Sequence, residues 1–343
     1  MKCPINGNED LIANTKFGRP HVLLLGAGAS RAAFPNGDRW GRRLPVMKDF
    51  VDVLELRAEL RQFGIANVDR NFELLFQEIA ARDDGGALRS HIEKRVVSYF
   101  TNLELSPGPT LYDIMVLSLR AKDMIATFNW DPFLWAAACR VSRYAPVPRV
   151  AFLHGNVAVG YCQRDPIKGP VGATCRKCGG TFEQSRLLFP VADKDYTSDE
   201  VLRHEWIDMQ RSMKAAYFFT VFGYSAPTAD VAAIELLRSA WGKAEERNLE
   251  QTEIIDIQDE STLRQTWSSF VHTHHYGIVD NYRLSYAVDY PRRSCEAFWQ
   301  SVMELKPYEP VGMPDCSQLE DLVDWLSPFI AAEHSNEAGI VEQ

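Results

Sequence analysis

The sequence predicts an α/β fold: a Rossmann-like, doubly wound parallel sheet with a helical insertion over about 36–120 and a small cysteine-bearing insertion over about 157–190. Two observations predict it. Short β-rich runs recur at 22–25, 124–128, 149–153, 216–222 and 253–257, separated by stretches of helical period, which is the pattern of βαβ units. The first run lies in "HVLLLGAGAS" (21–30) and breaks into Gly26 and Gly28, a tight turn handing a buried strand to a helix.

The elements follow in order. After that turn, "FPNGDRWGRRLP" is too polar and too rich in Gly and Pro for regular structure. Val46, Phe50, Val53 and Leu54 fall at i, i+4, i+7 and i+8, and Phe72, Leu75, Phe76 and Ile79 repeat the theme, so both stretches read as helix. Helix continues over 87–120, broken by the "SPGP" turn at 106–109. "PTADVAAIELLRSAW" (227–241) reads as the crossover helix between the fourth and fifth runs. A main domain over 15–290 is then followed by a helical C-terminal extension, 291–343, whose end from Glu333 reads as a frayed tail.

Composition narrows the function classes. At 343 residues the chain can hold one large domain with insertions, or two domains. A net charge of −9 argues against direct nucleic-acid binding, which needs a basic surface. No run approaches ~20 apolar residues, so no membrane span is expected. The N-terminus lacks the apolar core of a signal peptide. Seven scattered cysteines do not form a disulfide framework, and the cytoplasm is the expected compartment.

The glycine turn suits a phosphate-bearing ligand, because helix-start N–H groups are aimed at it. It is not a dehydrogenase fingerprint. Arg31 stands where the third glycine belongs, and no second strand ending in Asp or Glu follows within the next ~90 residues. It is not a Walker loop either, since no Gly-Lys-Ser/Thr is present. A tight turn without a ligand is the plainer alternative.

Three more motifs sit at strand ends. "ATFNWDPF" puts Asn129 and Asp131 after the second run, "FLHGN" puts His154 and Gly155 after the third, and "FGYSAPTAD" puts Gly223 and Ser225 after the fourth. If the strands are parallel, these residues and the glycine turn line one crevice at the carboxyl ends of the strands. Each has a plainer reading: turn former or helix cap for Asn129, Asp131 and Ser225, satisfied loop residue for His154. Cys162, Cys175 and Cys178 resemble a zinc ribbon missing one ligand, which Asp165 at C-x-x-D spacing could complete; the alternative is a degenerate insertion. "VHTHH" (271–275) reads as solvent-facing.

Taken in order, "GAGAS" (26–30), "TFNWD" (127–131), "LHG" (153–155), the cysteine insertion, "FGYS" (222–225) and "EIIDIQD" (253–259) resemble the sirtuin family and its bacterial relatives, the sirtuin-like NAD hydrolases. The resemblance implies that NAD is consumed by cleavage at the nicotinamide–ribose bond. "FGYS" followed by Pro227 and Asp230 looks more like the hydrolase branch, and there are three departures from the protein-deacylating sirtuins. Phe128 replaces the Gln before the Asn, the first cysteine pair is "CQRD", and "RLLFPVADKDY" (186–196) lacks the Phe-Gly-Glu segment that pairs with a substrate peptide. That branch is associated with antiphage defence by NAD depletion.

Bond cleavage through an oxocarbenium-like transition state then assigns expected roles. His154 is the candidate general base, Asn129 orients water or a ribose hydroxyl, and Asp131 holds the nicotinamide amide or offsets developing charge. Gly26, Ala27, Gly28 and Ser30 would cradle the pyrophosphate. Gly223 and Ser225 would touch the adenosine-side phosphate or ribose, with Asp256 and Gln258 at the adenosine end. NAD is thus expected as substrate, with a structural zinc at the cysteines. A toxic hydrolase implies control by a homo-oligomer or a regulatory partner, which in the family is an ATPase, an Argonaute-like protein or a nucleotide-sensing subunit. The alternatives are an NAD-dependent protein deacylase and a catalytically idle NAD or nucleotide sensor.

Overall fold

The computed structural model describes residues 8–341 apart from 83–84, 166, 192–195, 197, 227–229 and 272–274. Among the described residues nine strands occur in chain order: β1 (His21–Leu25), β2 (Met124–Thr127), β3 (Arg149–Phe152), β4 (Val159–Tyr161), β5 (Lys168–Pro170), β6 (Glu183–Gln184), β7 (Phe218–Phe222), β8 (Gln251–Ile255) and β9 (Tyr276–Val279). Six of them form one wholly parallel sheet in the order β3-β2-β1-β7-β8-β9. Counted within that sheet the order is 3-2-1-4-5-6, the doubly wound dinucleotide-binding arrangement. The fold class read from the sequence is the one observed.

The pattern of the strands explains the layers. β1 is buried along its whole length, as a central parallel strand covered on both faces must be. Leu23, Leu25, Ile125, Phe152, Phe222 and Ile255 face one apolar core. Val22, Leu24, Ala126, Leu153, Phe219 and Val221 alternate with them into a second core on the opposite face. Helices Glu200–Ala215 and Val231–Trp241 cover the second face. The insertion covers the first, through helices Phe72–Ala81, Gly85–Thr101 and Leu111–Leu117.

Several expectations need adjustment. β9 escaped the sequence reading because all four of its residues are only half-buried, so its apolar signal is weak. The helix expected over 46–54 shrinks to Phe50–Val53 and stops where Glu55 takes a left-handed φ of 57°. The crossover helix runs from Val231, and 227–229 of its expected span lie outside the described residues. Most of "VHTHH" also lies outside them.

The extension forms helices Ser294–Met303 and Leu319–Val341. Leu322, Leu326, Phe329 and Ile330 of the second helix join the core on the insertion side. The tail is not frayed at Glu333. That carboxylate is buried and accepts from Arg292 at 2.9 and 2.6 Å and from Arg293 at 2.7 Å. Among the described residues no helix is long and apolar enough to cross a membrane.

Candidate active site at the switch point of the sheet

Strand order reverses between β1 and β7, and parallel sheets bind ligands at the carboxyl ends beside such a reversal. A cavity of about 700 Å³ opens there, inside the ~300–1,000 Å³ range of ligand pockets. The structure brings Gly26, Ala27, Gly28, Ser30, Asn129, Asp131, His154, Gly223, Ser225, Asp256 and Gln258 together on its wall. The helical insertion closes the other side with Lys48, Phe50, Asn71, Glu73 and Phe100.

At one end lies a closed polar cluster. Ser30 Oγ donates to Asp131 Oδ2 at 2.6 Å and accepts from Asn129 Nδ2 at 2.8 Å. The Tyr112 hydroxyl lies 2.7 Å from the same oxygen. Asn129 Nδ2 also donates to the Gly26 carbonyl at 2.8 Å, and Oδ1 has no hydrogen-bond partner among the described residues. Tyr112 is delivered by helix Leu111–Leu117, whose start is fixed by a Thr110–Asp113 capping box. Burial pushes the Asp131 carboxyl up to about 6, against the hydrogen bonds from Ser30 and the Phe133 amide. Asn156, wholly buried, donates to the Asp131 carbonyl at 2.7 Å and ties the β2 loop to the β3 loop.

The glycines do something other than the sequence suggests. Gly26 N donates to Phe222 O at 3.0 Å and Gly28 N to Gly223 O at 2.9 Å, so neither amide points at a ligand. A Cβ on Gly26 would lie 2.5 Å from Gly223 O, and one on Gly28 would lie 2.8 Å from Gly223 Cα. The close approach that needs glycine is therefore loop against loop, β1 exit against β7 exit. Ser30 likewise spends its hydroxyl on Asp131. Ala27, as the first helical residue, keeps an amide without an intrahelical partner.

His154 occupies the opposite side. Its loop is pinned by Trp206 Nε1 donating to Leu153 O at 3.1 Å and by Leu188 N donating to His154 O at 2.9 Å. His154 Nε2 lies 3.0 Å from the Tyr196 hydroxyl and 3.7 Å from Asp230 Oδ2. Phe128 packs between His154 and Tyr224, with ring centroids 4.6 and 4.4 Å away. Two buried donors on the cavity wall, Trp130 Nε1 and Tyr224 OH, have no hydrogen-bond partner in the protein among the described residues. Glu73, Asp131, Asp230 and Asp256 line the cavity, and Lys48 is the one lysine or arginine among the described lining residues.

Tyr112, Asn156, Tyr196 and Glu73 were not singled out from the sequence. Nothing local marks them: only the fold brings Glu73 to the cavity wall and sets Tyr112, Asn156 and Tyr196 against Ser30, Asp131 and His154. In the small insertion, ligand atoms of Cys162, Asp165, Cys175 and Cys178 lie within 4.8 Å of one another. That is a four-ligand set of the size a tetrahedral ion takes. Asp165 also pairs with Lys177 at 2.8 Å.

No family model and no curated protein matches the chain. Among solved structures it is similar to a Sir2 homologue in complex with ADP-ribose, at 15% identity over 87% of this chain and 97% of that one, TM-score 0.42. It is similar to a structure described for the mechanism and regulation of Sir2 enzymes, at 15% identity over 88% and 98%, TM-score 0.39. A Sir2 homologue–NAD complex follows at 16% identity over 85% and 93%, TM-score 0.35. The fold class stated above rests on the sheet order itself.

Proposed function

We propose that this chain hydrolyses the nicotinamide–ribose bond of NAD, giving nicotinamide and ADP-ribose. The observation that carries the reading is one switch-point cavity lined by both an imidazole and buried carboxylates. As the C1′–N bond breaks, nicotinamide leaves neutral with the electron pair and the ribose carbon becomes cationic. Preorganised carboxylates at Asp131, Glu73 and Asp230 stabilise that charge without reorganisation. Water attacks C1′, held by Asn129 Oδ1, and His154 takes its proton before returning it to solvent. Trp130 Nε1 and Tyr224 OH offer the buried donors a bound amide or ribose needs.

Cys162, Asp165, Cys175 and Cys178 would hold a structural zinc that braces the small insertion and takes no part in the chemistry. Uncontrolled NAD loss kills a cell, so the activity belongs to a regulated toxic effector, as in antiphage defence. The test is NAD alone, read as nicotinamide release. Asn129→Ala and His154→Ala should each lower the rate by ~10²–10⁴ with the fold intact. Acyl-lysine peptides should change neither rate nor products. Strong acceleration by peptide, with O-acyl-ADP-ribose formed, would make the chain a deacylase, and NAD binding without turnover would make it a sensor.

A further inference from the structure

His154 does not stand alone. Tyr196 OH lies 3.0 Å from His154 Nε2 and donates to Asp230 Oδ1 at 2.8 Å, while Asp230 Oδ2 lies 3.7 Å from the same Nε2. All three groups are buried. We propose that Tyr196 and Asp230 are positioning residues that fix His154 as the Nε2–H tautomer, so that the nitrogen taking the proton is Nδ1. The inference rests on the reading of His154 as the base.

A phenol has one proton, and Asp230 as a carboxylate can only accept, so the Tyr196 proton belongs to Asp230. The Tyr196 oxygen then faces Nε2 as an acceptor, and Nε2 must carry the hydrogen. In a neutral imidazole the other nitrogen is left with the lone pair. Burial, and then the Asp230 charge, hold the Tyr196 phenol far above its ordinary range, so it keeps its proton throughout. Asp230 sits at the N-cap of helix Val231–Trp241, where the helix dipole favours its ionised form.

The Tyr196 ring stacks on His154 at 5.8 Å with 16° between planes and meets Trp206 edge-on at 4.8 Å. Among the described residues, the other titratable or charged groups that line the cavity with His154 are Tyr224 after β7, Asp131 after β2, Asp256 after β8, and Glu73 and Lys48 from the insertion, while Glu205 of the helix bearing Trp206 accepts from the Phe152 amide behind its loop. Asp230 is the carboxylate within 4 Å of Nε2 among the described ion pairs. When Nδ1 takes a proton, Asp230 is an anion close enough to offset part of the positive charge.

The experiment is ¹⁵N NMR of His154 in the intact free protein, in wild type, Tyr196→Phe and Asp230→Asn. Both variants keep the size and shape of the side chain, and circular dichroism checks their fold. Wild type should show the Nε2–H tautomer, and Tyr196→Phe should lose it. Asp230→Asn should lower the His154 titration midpoint, because the imidazolium loses its neighbouring anion. In turnover, Tyr196→Phe should reduce kcat on the order of 10- to 100-fold with KM unchanged, as expected when an imidazole loses its correct tautomer. Asp230→Asn should move the acid limb of the rate profile to lower pH. A wild-type Nδ1–H tautomer, or an Nε2–H tautomer retained in Tyr196→Phe, overturns the proposal. A wild type that releases no nicotinamide overturns the hydrolase reading instead, and the tautomer result stands apart from it.

Discussion

Ser30 and Asp131 share a 2.6 Å hydrogen bond beneath the cavity floor, and the bond uses the serine's only proton. A hydroxyl has one donor and two acceptor sites, and Asn129 at 2.8 Å and Tyr112 at 2.7 Å fill the remaining two. Nothing is left for a phosphate.

Ser30→Ala should therefore act on the protein before it acts on a ligand. It strips one partner from each of three buried groups, which destabilises by ~1–3 kcal/mol. Urea denaturation of the ligand-free protein measures this. A variant of unchanged stability whose KM for NAD alone rises would return Ser30 to the pyrophosphate.

Gly223 is the second case. Its φ is +62°, and a Cβ there would lie 2.2 Å from Ala29 N and 2.5 Å from Gly28 C, both backbone atoms that cannot swing aside. Gly223→Ala should cost ~3 kcal/mol or more and lower Tm in the absence of any ligand. Gly28→Ala, at 2.8 Å from Gly223 Cα, should do less. If both variants melt like wild type and fail only in NAD binding, the loops are spaced for the ligand after all.

Glu333 closes the C-terminal helix onto the body through two buried arginines, Arg292 and Arg293. Removing one side of a buried pair leaves uncompensated charge, at ~3–5 kcal/mol. Glu333→Ala, or a chain ending at residue 332, should show that loss in chemical denaturation. Wild-type stability of both would make the tail dispensable, as its sequence suggests.

The sheet was legible because its inner strands are short apolar runs ending in turn-forming residues. β1 and β7 are buried end to end, and their chemistry-bearing residues fall immediately after the strand. β9 was not, since half-buried residues carry little pattern. The cavity wall divides the same way. Asn129, Asp131 and His154 could be placed by topology alone. Tyr112 and Tyr196 could not, because each meets a lining residue, Ser30 or His154, by a long-range contact that no spacing encodes. Gly26 and Gly28 misled for a physical reason: a backbone that must pass close to another backbone needs glycine as much as one that must pass close to a phosphate.

The cysteine cluster gives a metal test independent of NAD. Protein purified without chelator should carry about one zinc per chain, and Cys175→Ser should lose it and loosen residues 157–190 first, because metal affinity is folding free energy. Proteolysis under native conditions locates that loosening. A well-folded, metal-free wild type would mean that the four side chains converge without an ion.

The last expectation concerns Asp131 and pH. Its carboxyl is raised from 3.8 to about 6 in the folded protein, chiefly by burial, so the fold holds the proton more tightly than the unfolded chain does. The sign follows: its favourable contribution is full below about 4 and is lost as pH rises through about 6. Above that, the ionised group burdens the fold by about 2–3 kcal/mol. Asp131→Asn cannot ionise, yet its amide oxygen still accepts from Ser30. The variant should be more stable than wild type at pH 8 by about that amount, and the advantage should shrink toward zero near pH 4. Glu253, also raised by burial to about 7, is present in both proteins and cancels in the comparison. Nicotinamide release by Asp131→Asn should fall above about pH 6, where the ionised wild-type carboxylate supplies the cationic ribose with a buried counter-charge, and the deficit should close toward pH 4. Urea titrations at pH 4, 6 and 8 decide the matter. A stability difference that does not change with pH would mean that Asp131 is not the group titrating in this window, and unimpaired turnover would remove its charge from the mechanism.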